Sequence, residues 1–599
     1  MMLTGGQIIV ETLKRERVPY ILGIPGHGIL SLFDAIREGE SKGDIKYLQV
    51  KHEQTAAHMA DAYFRMTGRP LATISSIGPG SLNLPIGLAT AYVDSSAMIS
   101  FCGDTHVHMK GVGVLQEIER YQDSNFIRAL EPLVKRAWRA ESAEQLPRIL
   151  NRAFAQMLKG RPGPVAVALP MDVQAASAEV DLPGAAPERT QTAGKADEES
   201  IAAAISLMKS ARRPVILAGG ASLRTRAAAR LQAMAEAWGA AVVTTLAGKS
   251  AFPEDHPLYA YHTGSKGTPV GLAITSQADV ILAVGTRFAD ETTSSYRDGV
   301  SFSFPRTKLI HVDIESAEIG KNYRADVPVV GDLNAVLEQL TQAYGARTER
   351  AEYFQEIARR KNDWAVLLAE RRRLPENELT ITQMIGILGE CLPEDTIIAS
   401  SSGNTQAQLF QEYCFKKPGT CLTTGGFSTM GWALPAALGA KLACPDRPVV
   451  ALMGDGDFMM TMQELSTMVQ YNLPVVVVLA NNCGWHAIKD LQRDAFGEAC
   501  TFGNDWLDGK GNLYSPDFAG VARAFGVPAW HVERQNELRD AVTEALASGG
   551  PAMVVADVSR TPPYTGGESF GWWDVPVPGY LEPQRARYEA GKAQERWSL

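Results

Sequence analysis

Apolar residues in this chain gather in short continuous runs. Each run ends in a glycine-rich or polar break and is followed by a stretch with helical spacing. Tyr20-Ile21-Leu22-Gly23, Leu71 to Ile74, Ala97 to Phe101 and Val165 to Leu169 are such runs, as are Val215 to Leu217, Val280 to Val284 and Leu309 to Val312. Val449 to Met453 and Val475 to Leu479 follow the same pattern. Runs this short and this rich in branched residues predict strands of parallel sheets buried on both faces, with crossover helices between them. The rhythm predicts an α/β chain of three consecutive doubly wound parallel-sheet domains, residues 1–180, 200–345 and 375–560, followed by a C-terminal arm, 561–599. Met1 to Glu16 reads as an amphipathic helix and Gln174 to Glu199 as an exposed linker. The charged helical stretch Arg347 to Arg373, with Pro375-Glu376-Asn377 after it, reads as the second boundary.

One stretch organises the rest. Gly454-Asp455-Gly456-Asp457-Phe458 stands at the end of one apolar run, with a helical stretch, Met460 to Gln470, after it. Asn481-Asn482 stands at the end of the next run. Right-handed crossovers bring consecutive parallel strand ends to one sheet edge, where open α/β folds bind ligands. A carboxylate and an amide oxygen converging there suit a hard octahedral cation that keeps its other positions for phosphate oxygens and water. Glycines beside Asp455 let the backbone approach a diphosphate, and the following helix offers its first amides.

Composition narrows the classes. The 599 residues carry a net charge of −9, which argues against nucleic acid or an anionic membrane surface as partner. No apolar run reaches the roughly 20 residues of a membrane span, and the start does not read as a signal peptide. Seven cysteines without CxxC or metal-ligand spacing predict reduced thiols and a cytoplasmic protein.

The Asp455/Asn482 pairing resembles the signature of thiamine diphosphate (ThDP) enzymes, and the chain as a whole resembles the acetohydroxyacid (acetolactate) synthase-like superfamily. The resemblance implies Mg²⁺ held by Asp455, Asn482 and the carbonyl of Gly484. It places the cofactor against Gly454, Gly456 and Asp457, against Gly403-Asn404-Thr405, and against Ser428 and Met430. Met430 matches the bulky residue that bends the cofactor. Lys51 to Asp61 resembles the activating-glutamate motif, which makes Glu53 the carboxyl that hydrogen-bonds the aminopyrimidine and relays a proton.

The substrate motifs are mixed. His27, in Gly23-Ile24-Pro25-Gly26-His27-Gly28, falls where the family faces the reacting carbon, and the loop Ser75 to Asn83, with Gly78, lines the same pocket. Gln116 matches an active-site glutamine of the synthases, although Leu115 replaces the phenylalanine before it. Leu491 lies where branched-chain synthases carry a selecting tryptophan. His27, Ile77 and Trp572-Trp573 look more like the hydrolases of cyclic 1,2-diones. His106 and His108 read as surface residues and Cys483 as a packing residue. In the middle domain, Gly219-Gly220, Gly285-Thr286-Arg287 and His311 to Lys321 resemble the FAD-binding domain of the synthases, whereas His262 to Thr268 departs from it, so FAD stays open.

The implied activity is ThDP- and Mg²⁺-dependent cleavage and carboligation on a 2-oxo substrate, for instance a decarboxylated 2-oxoacid such as pyruvate joined to a carbonyl acceptor. Ring opening of a cyclic dione is the alternative. A non-catalytic binding protein would be expected to lack Glu53. The family implies a homodimer or homotetramer with active sites between subunits.

Overall fold

The computed structural model describes all residues except 121–122, 183, 185–193, 346, 374–377, 562–570 and 597–599. Three six-stranded sheets carry the fold. The first is built from β1 (Tyr20–Gly23), β2 (Lys46–Gln49), β3 (Ala72–Ser75), β4 (Ile99–Asp104), β5 (Arg136–Arg139) and β6 (Val165–Pro170). The second holds β7 (Pro214–Ala218), β8 (Ala241–Thr244), β9 (Tyr259–His262), β10 (Val280–Val284), β11 (Lys308–Asp313) and β12 (Val327–Val330). The third holds β13 (Ile397–Ser400), β14 (Cys421–Thr423), β15 (Val449–Gly454), β16 (Val476–Asn481), β17 (Ala529–Val532) and β18 (Ala552–Asp557). Every pairing within these sheets is parallel.

Strand order locates the ligand edges. The first sheet runs β2-β1-β3-β4-β6-β5 and the third β14-β13-β15-β16-β18-β17, one topology used twice. The second runs β9-β8-β7-β10-β11-β12. Open α/β sheets bind ligands where the order reverses, outside the carboxyl ends of the strands. Those points are β1/β3, β7/β10 and β13/β15. The apolar runs are buried on both faces as their patterning predicts. In the second sheet, for example, Ile216, Val242 and Leu282 belong to one core and Val215, Val243 and Ile281 to the other.

Packing divides the chain into two compact units that do not follow chain order. The first comprises 1–192, 427–446 and 461–473, and the second 193–426, 447–460 and 474–599. In the first, the helix Ala433–Ala443 packs on the helix Glu53–Thr67. Between them the Trp432 indole donates to Asp61 Oδ2 at 2.9 Å, and Arg65 meets the same fully buried carboxylate at 2.8 Å while lying over the Trp432 ring. Asp61→Ala should therefore cost about 3–5 kcal/mol, because it strips a buried guanidinium and an indole N–H of one partner. Urea unfolding midpoints read this directly.

Several local expectations are corrected. Met1 to Glu16 is not one helix: Met2–Thr4 is a strand paired antiparallel with Ser177–Glu179, and the helix Gly5–Arg15 starts at a Thr4/Gln7 capping box. Gln174 is not linker; it is 1% exposed, with its amide donating to Gly28 O and Leu169 O. The helical stretch expected from Met460 begins instead at Asp455 (Asp455–Met459), then resumes as a 3₁₀ turn and Leu465–Gln470 after Thr461, whose φ of −140° breaks it. The long charged helix spans Ala351–Arg373, and Pro375-Glu376-Asn377 lies outside the described residues.

Candidate active site

In the first unit, the predicted residues meet at the β1/β3 edge. Glu53 opens its helix after His52, whose imidazole caps Gln54 N–H. The Glu53 side chain is buried, and Oε2 accepts from Asn83 Nδ2 at 2.9 Å. His27 heads a 3₁₀ turn after β1 and is half-buried. Gly28 N–H donates to Ser76 Oγ at 3.3 Å, tying the loop after β1 to the loop after β3. Ile77 joins the same two loops. It is 1% exposed, and its side chain fills the place where a Gly28 Cβ would stand.

Gly78 has φ +55°, and a Cβ there would lie 2.1 Å from Gln116 O, so the backbones of these two loops touch. Gln116 itself is exposed and left-handed at φ +68°. Met430 stands 37% exposed on this unit rather than in its core, beside left-handed Ser428 and beside Thr429, whose hydroxyl bonds Thr90 at 2.7 Å. His108 is exposed and pairs with Asp172, and its half-buried neighbour His106 lies edge-on to it.

In the second unit, the switch point β13/β15 gathers the other predicted residues. Asp455 is 3% exposed; Oδ1 accepts Gly456 N–H at 2.8 Å, and Oδ2 accepts the N–H groups of Asn482 (3.0 Å) and Gly484 (3.3 Å). Burial raises its carboxyl above the usual 3.8, and these N–H bonds oppose the shift. Asn482 Oδ1 is buried and has no partner among the described residues. An orphaned amide oxygen beside a buried carboxylate is the donor set a hard divalent cation takes.

The two glycines of the motif differ. A Cβ on Gly454 would meet only Thr405 Oγ1, at 3.9 Å, so that side is open for a ligand. A Cβ on Gly456 would strike the Trp485 ring at 2.2 Å, so the indole requires a glycine here. Asp457 accepts the Ser401 hydroxyl at 2.5 Å. Gly403, at φ +142°, turns the chain from β13 into the helix Asn404–Glu412, and Thr405 is buried in its first turn. Cys483 is half-buried and, like the other six cysteines, free.

Residues 571–574 of the arm lie on loops of the second sheet. Trp573 Nε1 donates to Asp290, Asp574 N–H to Ser295 Oγ, and Gly571 sits against Gly264 and Ser265. These are loops that leave the carboxyl ends of β9 and β10. At the β7/β10 switch point itself, Gly219 packs on Gly285 O, where its Cβ would lie 2.1 Å away.

Sequence reasoning missed the residues that hold the predicted ones. Asn83 holds Glu53, and Asp490 accepts Asn404 Nδ2 at 2.7 Å. Buried Glu464 accepts the N–H of Lys51 just before Glu53. Glu117 anchors the loop that bears Gln116. Asn83 ends the loop that begins at Ser75 and Glu117 directly follows Gln116, but nothing in spacing says which partner a polar side chain finds.

Three family models match the chain: the thiamine pyrophosphate enzyme N-terminal TPP binding domain over residues 3–124, the central domain over 201–340, and the C-terminal TPP binding domain over 401–556. The chain is 33% identical over 577 residues to the probable acetolactate synthase large subunit of Methanocaldococcus jannaschii, covering 92% of this chain and 91% of that one. It is 34% identical over 571 residues to the acetolactate synthase large subunit of Corynebacterium glutamicum, covering 92% and 86%. The figure for the acetolactate synthase large subunit of Parasynechococcus marenigrum is 32% over 564 residues, covering 93% and 88%. Near full-length similarity, three matching domains in order and the Asp455/Asn482 edge agree: the chain belongs to the thiamine diphosphate-dependent enzymes of the acetolactate synthase-like family.

Proposed function

We propose that this enzyme decarboxylates a 2-oxoacid such as pyruvate and transfers the acyl unit to a carbonyl acceptor, a reading supported by relatives named acetolactate synthase. The observation that supports the chemistry is buried Glu53, held by Asn83 on the first sheet's ligand edge. Thiamine diphosphate, when bound, supplies a nucleophilic carbon and an electron sink for breaking a bond beside a carbonyl. Glu53 would hold the aminopyrimidine and move its proton. His27 would exchange protons with substrate oxygen, and Gln116 would orient the substrate.

Asp455, the orphaned Asn482 oxygen and the Gly484 carbonyl would hold Mg²⁺. Gly454, Gly403, Asn404 and Thr405 would face the diphosphate, and Met430 and Ser428 the cofactor's rings. Ring opening of a cyclic dione is not favoured, since the relatives are acetolactate synthases along nearly their whole length.

FAD, if bound, would sit at the second sheet. Buried Ser222 Oγ, Thr244 Oγ1, His262 Nδ1 and Glu291 Oε1 have no partner among the described residues and follow or end the adjacent strands β7, β8, β9 and β10. A dinucleotide or ordered water would satisfy them. Assembly as at least a homodimer, or a homotetramer, with active sites between subunits follows the family. No helix among the described residues is long and apolar enough to cross a membrane, and seven free thiols fit a reducing cytoplasm.

The test is carbon dioxide release with product analysis from the ThDP/Mg²⁺-loaded enzyme given pyruvate alone. Prompt release with acetolactate or acetoin is expected. No release despite bound cofactor would overturn the reading. Flavin absorbance of the purified protein decides the FAD question.

A further inference from the structure

We propose that Glu117 is the positioning residue for Gln116: its carboxylate gathers the backbone of the loop after β4 and fixes where Gln116 stands. This rests on the reading that Gln116 orients the substrate. Glu117 Oε1 accepts Gly111 N–H at 2.7 Å, and Oε2 accepts Gly113 N–H at 2.9 Å and Val114 N–H at 3.0 Å. The Thr105 hydroxyl reaches Oε1 from the base of the loop at 3.4 Å. One carboxylate therefore ties three amides from a four-residue span to the strand end that launches the loop, in charge-assisted bonds stronger than neutral ones.

Such a tie is needed here. Gly111 and Gly113 are left-handed at φ +82° and +79°, and Val112 and Leu115 are 68% and 74% exposed, so little packing holds the tip. Gln116, the residue before Glu117, takes φ +68° and presses its carbonyl on Gly78, in the loop whose end carries Asn83 and through it Glu53. Releasing the carboxylate frees the loop on one side of Gln116 and leaves its carbonyl against Gly78 on the other.

Glu117→Gln keeps the shape but turns one oxygen of the fork into an NH₂ facing N–H donors. Displacing a substrate-orienting group by about an ångström costs up to roughly 100-fold in rate. We expect Gln116→Ala and Glu117→Gln each to lower kcat/KM for the 2-oxoacid by about 10- to 100-fold. The double variant should be no slower than Gln116→Ala, while ThDP affinity and the thermal midpoint of Glu117→Gln stay at wild-type values. Effects that multiply in the double variant, or a Glu117→Gln enzyme with full activity, overturn the inference while the role of Gln116 stands. A fully active Gln116→Ala enzyme instead removes the reading on which it rests. If Glu117→Gln does not fold, hydrogen exchange in the wild-type protein decides. Protected amides at 111, 113 and 114 are expected, and exchange at the free-peptide rate overturns the tie.

Discussion

Glu53→Gln is expected to lower kcat by about 10²–10⁴-fold, the range a positioned proton-transfer group contributes. The substitution is close to isosteric. Glutamine at 53 keeps an oxygen able to accept from Asn83 Nδ2, which now lies 2.9 Å from Oε2, and keeps the buried side chain's volume. The helix start is set by His52 and not by Glu53, so the fold should survive. What the amide lacks is a transferable proton, and that loss falls on cofactor activation before any substrate is chosen. The deficit should therefore be the same for every 2-oxoacid tried, and proton exchange at the bound cofactor's reactive carbon, followed by NMR without substrate, should slow in parallel. A variant that turns over at the wild-type rate would remove Glu53 from the mechanism. Asn83→Ala should act in the same direction and less severely, because it releases the carboxyl without removing it.

How much of this was legible in the sequence depends on whether a residue acts by its position on the chain or by its partner. The apolar runs had to be strands buried on both faces, and Asp455 and Asn482 had to end two of them. Those statements need only periodicity and the geometry of a crossover, and the sheets bear them out. Glu53 at a helix start was equally readable. The repeated strand order of the first and third sheets was not, since valine, isoleucine, leucine and alanine serve any buried strand alike.

Partners from distant parts of the chain were not legible. Ile77, in the loop expected to line a pocket, packs against Gly28, and only the fold shows that the two loops meet. Gly456 was read as a glycine beside a diphosphate, and nothing in the motif showed that Trp485, twenty-nine residues on, also packs against it. Gln174 was assigned to a linker from the composition around it, whereas its amide satisfies buried carbonyls of Gly28 and Leu169. In each case the residue's own chemistry was read correctly and its surroundings were supplied by distant chain.

Asp455→Asn should weaken Mg²⁺-dependent ThDP binding by about 100-fold or more, because the charge it removes would, on the proposed reading, support a metal bond and supports hydrogen bonds worth roughly 1.5–3 kcal/mol each. Asp455 is the hinge of its site. One oxygen caps the turn into Gly456, and the other collects the N–H groups of Asn482 and Gly484, which fixes the loop bearing the orphaned Asn482 oxygen. An asparagine must turn its NH₂ toward one of those sets of donors, so the variant loses a ligand and loosens the other two together. Binding can be followed through Trp485, whose ring lies on Gly456, by titrating ThDP with and without Mg²⁺. The wild-type protein should lose affinity when the metal is chelated. Asp455→Asn should bind weakly in either condition, with little left for Mg²⁺ to change. Asp457→Asn is the control: its carboxylate is bonded to the Ser401 hydroxyl on the end of the neighbouring strand, so its effect should fall more on stability than on metal dependence. Full Mg²⁺-dependent affinity in Asp455→Asn would mean that the cation is held elsewhere.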